Sequence, residues 1–126
     1  MREILFRGKR IDNGEWAYGD YWHLPEKNFY CISDIEFNRK VDPETVGQYT
    51  GLTDKNGKKI FEGDIVVVPL SGKPAKGIVE YFKTDICGFV VITQPQHSNY
   101  VLQKNYVYEV IGNIHDNPEL LGGDDK

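Results

Sequence analysis

Residues 46–64 read VGQYTGLTDKNGKKIFEGD, and this stretch decides the fold class. Residues 45–50 are mostly β-branched, aromatic or glycine, a composition that favours extended backbone, and Gly51 interrupts them. Asp54-Lys55-Asn56-Gly57 then sets an Asn-Gly pair, which tolerates positive φ, between two strand-like segments, a strong local hairpin signal. Ile60 and Phe61 resume the apolar character. Gly63-Asp64 bends the chain into Ile65-Val66-Val67-Val68, which reads as a buried strand ended by Pro69. The short side chain of Asp64 is expected to accept a backbone hydrogen bond at that bend.

Strand signals continue on both sides. Upstream, Ile4 and Phe6 alternate with Leu5, Asp12-Asn13-Gly14 turns the chain, and WAYGDYW follows at residues 16–22. Period two places Trp16, Tyr18, Asp20 and Trp22 on one face, so an N-terminal hairpin is predicted. Aromatics at this density either stack on ligands or fill a small β core, and the core is the stronger expectation. FYCIS at 29–33 reads as a strand, and the alternation of Ile35 and Phe37 with polar neighbours suggests another. Downstream, KGIVEYF at 76–82, residues 89–93, 100–102 and 106–112 complete the set, with QPQHSN at 94–99 as a polar loop. Asn117-Pro118 has the form of a cap followed by proline at a first helical position, which predicts one C-terminal helical turn.

The whole pattern is mainly β: a small β-barrel-like domain, with an SH3-like meander in its C-terminal half and a short C-terminal helical turn. A chain of 126 residues, 40% hydrophobic and 13% aromatic, is expected to form one domain and one core over residues 1–121, with a frayed tail at 122–126. Fifteen basic and nineteen acidic residues leave a net charge of −4, which provides no global attraction for nucleic acid or anionic lipid. No apolar run reaches the roughly 18 residues of a membrane span and MREILFRGKR has no secretory apolar core, so a cytosolic location is expected. Cys31 and Cys87 are far apart and read as reduced, semi-buried thiols.

Three segments, MREILFRGKR, ETVGQYTGLTDKNGKKIFEGDIV and YEVIGNIHDNPELL, together resemble the YopX family of small phage and prophage proteins. The resemblance implies a compact, strand-rich domain encoded by a bacterial virus or its integrated remnant, working in the host cytosol. It transfers no catalytic residue to any position of this chain.

Gly51 and Gly57 are followed by Lys58-Lys59 with no Ser or Thr for a metal, and Gly72 and Gly77 by Ile78, so neither pair is a phosphate loop. The turn at 54–57 lacks the ligand alternation of a calcium loop. His23, His97 and His115 with the two cysteines have no zinc spacing, and Ser33, Ser71 and Ser98 sit in no nucleophile-elbow context. Acids at Asp34, Glu36, Asp42, Glu44, Asp54, Glu62 and Asp64 could do acid–base work only if burial splits their pKa values.

The remaining candidates are contact residues: Tyr49 with Lys55, Lys58, Lys59, Lys73 and Lys76, a local positive surface if the turns converge. The expected function is a non-enzymatic interaction module with no metal and no cofactor, binding a phage or host protein or a second copy of itself. Nucleic-acid binding through those lysines is the alternative, and an acid–base hydrolase the remote one.

Overall fold

The computed structural model describes residues 5–68, 74–82, 88–94, 99–102 and 107–121. These form eleven β-strands in antiparallel sheets, and among the described residues helical structure is confined to three short 3-10 turns, each opened by a proline. The chain divides into two compact units, residues 1–51 and 52–126. Each holds its own cluster of buried apolar side chains.

In the first unit, β1 (Phe6–Lys9) and β2 (Trp16–Leu24) form the predicted N-terminal hairpin, with Lys9 opposite Trp16 and Phe6 opposite Gly19. β3 (Phe29–Ser33) pairs with β2, and β4 (Asn38–Lys40) with β3. β5 (Gly47–Thr53) lies on the other side of β1, and its leading half belongs to this unit, giving the order β4-β3-β2-β1-β5. One face buries Ala17, Ile32 and Val41, with Phe6, Tyr21, Tyr30 and Val46 packed against them. The period-two pattern of β2 produces that face: Ala17 and Tyr21 point in, while Tyr18 and Trp22 point out and remain 47% and 38% exposed. The outer strand is also tied back to the end of β1. Arg10 bridges Val41, Ile11 N–H donates to the Lys40 carbonyl at 3.1 Å, and Asp42 N–H donates to the Lys9 carbonyl at 2.9 Å.

One prediction fails here for a clear reason. Ile35 and Phe37 do not belong to a half-buried strand. The Asp34 carboxylate accepts the N–H groups of Glu36 and Phe37, both at 2.8 Å, and closes a turn before β4 begins. Asx capping of this kind competes with strand pairing and wins.

In the second unit, the end of β5 continues through a tight turn into β6 (Lys59–Phe61). β7 (Asp64–Val68), β8 (Ala75–Phe82), β9 (Gly88–Gln94) and β10 (Asn99–Val101) form a meander, and β11 (Glu109–Asn113) returns to the free side of β7. The order is β10-β9-β8-β7-β11, an open sheet with β10 and β11 at opposite edges. The barrel-like and SH3-like expectations are therefore corrected to open antiparallel sheets. Ile60, Val66, Val68, Val79, Val91 and Tyr108 make the core, each under 3% exposed. Pro118–Leu120 is a 3-10 turn without the expected cap, because the Asn117 side chain instead accepts the Asn113 N–H at 3.3 Å. Residues 1–4, 69–73, 83–87, 95–98, 103–106 and 122–126 lie outside the described residues, and with them the starts of the strands expected from Ile4 and Tyr106 and positions 95–98 of the polar stretch expected at 94–99.

Candidate functional site

The segment that decided the fold is built from backbone acceptors. In the turn after β5, Gly57 N–H donates to the Asp54 carbonyl at 3.0 Å and Asp54 N–H to the Lys58 carbonyl at 2.7 Å. Gly57 takes a φ of 83° and Asn56 keeps a negative one, so the loop is the longer kind closed by a left-handed glycine. The Asp54 side chain, 6% exposed, accepts N–H groups of Asn56 at 2.8 Å, Lys58 at 2.9 Å and Val110 at 3.0 Å. Burial pushes its pKa up. The three donors and the nearby Lys58 charge outweigh that and hold the carboxyl below its ordinary range.

Asp64, 1% exposed, accepts the Phe61 N–H at 2.8 Å, the bend contact predicted for it. Gly63, with a φ of 93°, donates to the Val79 carbonyl and accepts from Ile114 N–H. Across the β7–β11 register Asp64 faces Asn113, whose side chain accepts from His115 and Asp116 N–H groups at 3.0 and 2.9 Å. The Asp54, Asp64 and Asn113 side chains therefore brace the second unit by accepting backbone N–H groups.

The predicted contact residues are dispersed in role. Tyr49 is 8% exposed and belongs to the first unit. Lys55, Lys58 and Lys59 are exposed around the β5–β6 turn, with the Lys55 ammonium 3.6 Å from the Glu109 carboxylate. The Lys76 ammonium donates to the Leu120 carbonyl at 2.7 Å and pins the C-terminal turn. Lys73 lies outside the described residues, as do Cys87 and His97. Cys31 is buried, which pushes its thiol pKa up against the lowering influence of Lys40. Among the described residues no group of three His, Cys, Asp or Glu side chains is placed to hold a metal ion. No helix among them is long and apolar enough to cross a membrane.

The surface that sequence reading missed is on the β3–β4 hairpin. At its tip Ile35 is fully exposed and Phe37 57% exposed, yet the turn carrying them is rigidly held. Asp34 N–H donates to the Phe37 carbonyl at 3.0 Å, and the Arg39 guanidinium meets the Asp34 carboxylate at 2.9 Å. Backbone donors of Phe37 and Glu36, then Arg39, depress the Asp34 pKa. Beside the tip, the Trp22 indole donates to the Ser33 hydroxyl at 2.7 Å, and that hydroxyl donates to Asn38 at 2.6 Å. Trp22 also packs on Phe29 at 5.4 Å, and the Lys40 ammonium lies 5.4 Å above the Phe29 ring. At the hairpin's other end is a cavity of about 170 Å³ lined by Ile11, Asn28, Tyr30, Lys40, Val41, Asp42 and Pro43. The apolar alternation in residues 35–37 was the available signal for the tip. The Asx turn at Asp34, rather than strand pairing, sets the direction of both side chains.

Among solved structures, the chain is similar to protein EF1440 from Enterococcus faecalis, at 24% identity and a TM-score of 0.61, covering 97% of this chain and 100% of that one. At that identity the likeness shows the fold. No curated protein matches. The family model described as YopX protein matches residues 5–122, across both units, the second half of the first motif segment and the whole of the other two, and the chain accordingly belongs to the YopX family.

Proposed function

We propose that this chain is a non-enzymatic interaction module of phage or prophage origin that binds a protein partner in the bacterial cytosol through the tip of the β3–β4 hairpin and the aromatics beside it. The observation that carries the reading is Ile35, a branched aliphatic side chain wholly in solvent on a turn fixed by its own hydrogen bonds. Burying such a side chain is worth about 2 kcal/mol, and a turn already in its bound geometry loses little entropy on docking. Aromatic and cationic neighbours, Phe37 under Arg39 at 4.9 Å and Trp22 beside Ser33, match the composition of contact centres between proteins. The Asp54 and Asp64 carboxylates accept backbone N–H groups, which supports a scaffold reading of that region over an acid–base one.

The test is recovery of partners by the tagged full chain from its host, compared with Ile35→Glu and Phe37→Ser. Partners held by the native chain and lost by both variants, with unchanged circular dichroism, support the reading. An identical set of partners in all three would refute it.

A further inference from the structure

The β3–β4 hairpin carries complementary features at opposite ends. Its tip presents Ile35 and Phe37 with the exposed carboxylate Glu36 between them. Its base presents the cavity, with apolar walls from Ile11, Val41 and Pro43 and, at its rim, the exposed cation Lys40 together with the exposed carboxylate of Asp42. A volume of about 170 Å³ is of the order that accepts one compact apolar group, since a cavity of about 150 Å³ holds a benzene ring. Ser33 pairs with Asn38 next to the tip and Cys31 with Lys40 next to the base, two residues further along each strand, so the two ends are separated by roughly 7 Å of paired strand. One chain therefore cannot fill its own cavity with its own tip.

We infer that the occupant of this cavity is the β3–β4 tip of a second copy of the chain, with Ile35 inserted between Ile11, Val41 and Pro43 and Glu36 facing Lys40. This rests on the reading of the tip as a contact surface and names its partner. The contact is head to tail, because each copy offers the tip to one neighbour and the cavity to another. Such contacts close into rings or run on as filaments. One knob buries far less than the roughly 1,200 Å² of a stable pair, so isolated pairs are weak and closure supplies the remaining stability.

The experiment is sedimentation velocity of the full chain over a range of concentrations, for the native sequence and for Ile35→Glu, Glu36→Lys, Lys40→Glu and the charge-swapped pair E36K/K40E. The native chain should associate, Ile35→Glu should weaken association roughly tenfold to hundredfold, and each single charge reversal should weaken it less. The swapped pair should recover much of the loss, which general damage to the surface would not allow. A mixture of Ile35→Glu, which keeps its cavity, with an Ile11→Glu variant, which keeps its tip, can form a single contact, so it should associate more weakly than the native chain and go no further than dimers. Native association indifferent to all of these changes would overturn the inference and leave the interaction reading standing. A native chain that stays monomeric but loses a different partner on Ile35→Glu does the same. A monomeric chain with no partner at all overturns both.

Discussion

The two units place their unusual residues with different emphasis. In the second, carboxylates and an amide are turned inward and saturated: Asp54 holds three backbone N–H groups, and Asp64 and Asn113 face one another across paired strands. In the first, large apolar side chains are turned outward in greater number, with Ile11, Tyr18, Trp22, Leu24, Ile35 and Phe37 in solvent against Tyr81, Val101 and Val107 among the described residues of the second. A polar group is buried stably only when its partners are in place, and an apolar group is held in water without gain to the fold. The second unit therefore spends chemistry on architecture, and the first spends architecture on a surface.

The largest expected effect follows from Asp54. Asp54→Ala leaves three N–H groups without their acceptor, one of them on a strand 56 residues away, and should cost about 3 kcal/mol or more in urea unfolding. A loss under about 1 kcal/mol would break the contrast between the units.

Next is Gly19 of β2, where an added Cβ would run into the carbonyl of Ser33. Gly19→Ala should destabilise the first unit by about 1–3 kcal/mol and shift the environment of Trp22. Tryptophan fluorescence during unfolding reads this change, since Trp16 and Trp22 both lie in that unit.

Acid should sharpen the comparison. The folded-state pKa of Asp54 is lowered, so its contribution is complete above the ordinary carboxylate pKa and is lost as pH falls through the lower folded value. Stability should therefore decline below about pH 4, and the decline should be shallower in Asp54→Asn. An equal slope in both proteins would mean that other groups carry the acid sensitivity.

The smallest effects belong to exposed side chains. Lys55→Ala, which removes an exposed pair with Glu109, should change stability by less than about 1 kcal/mol. Phe37→Ser should move it by no more than about 0.5 kcal/mol in the same unfolding assay. A salt titration against single-stranded DNA decides whether Lys55, Lys58 and Lys59 act as a phosphate surface: the interaction reading expects no salt-dependent association.

Strand positions were legible because period-two alternation and turn chemistry are local. The hairpin after Thr53, the bend at Gly63 and the run Ile65-Val66-Val67-Val68 could all be placed from their residues. The role of Asp54 was not legible, since its third partner, Val110, is distant in sequence and no composition signal links them. Sheet closure was also misjudged, because the choice between an open sheet and a barrel depends on which edges meet, and β10 and β11 do not. The tip at Ile35 was hidden by an Asx turn that mimics alternation over three residues.

The return of β11 to the side of β7 has a temporal consequence. Ribosomal synthesis completes β7 at Val68 and reaches the residues that pair with it only at Glu109–Asn113. At about 5–20 residues per second, one flank of the most apolar strand lacks its neighbour for seconds. The donors that Asp54 is built to accept arrive in part over the same interval, with Val110 last. Translation halted inside that window would release a chain with an uncovered strand edge, the state most open to pairing with the wrong molecule.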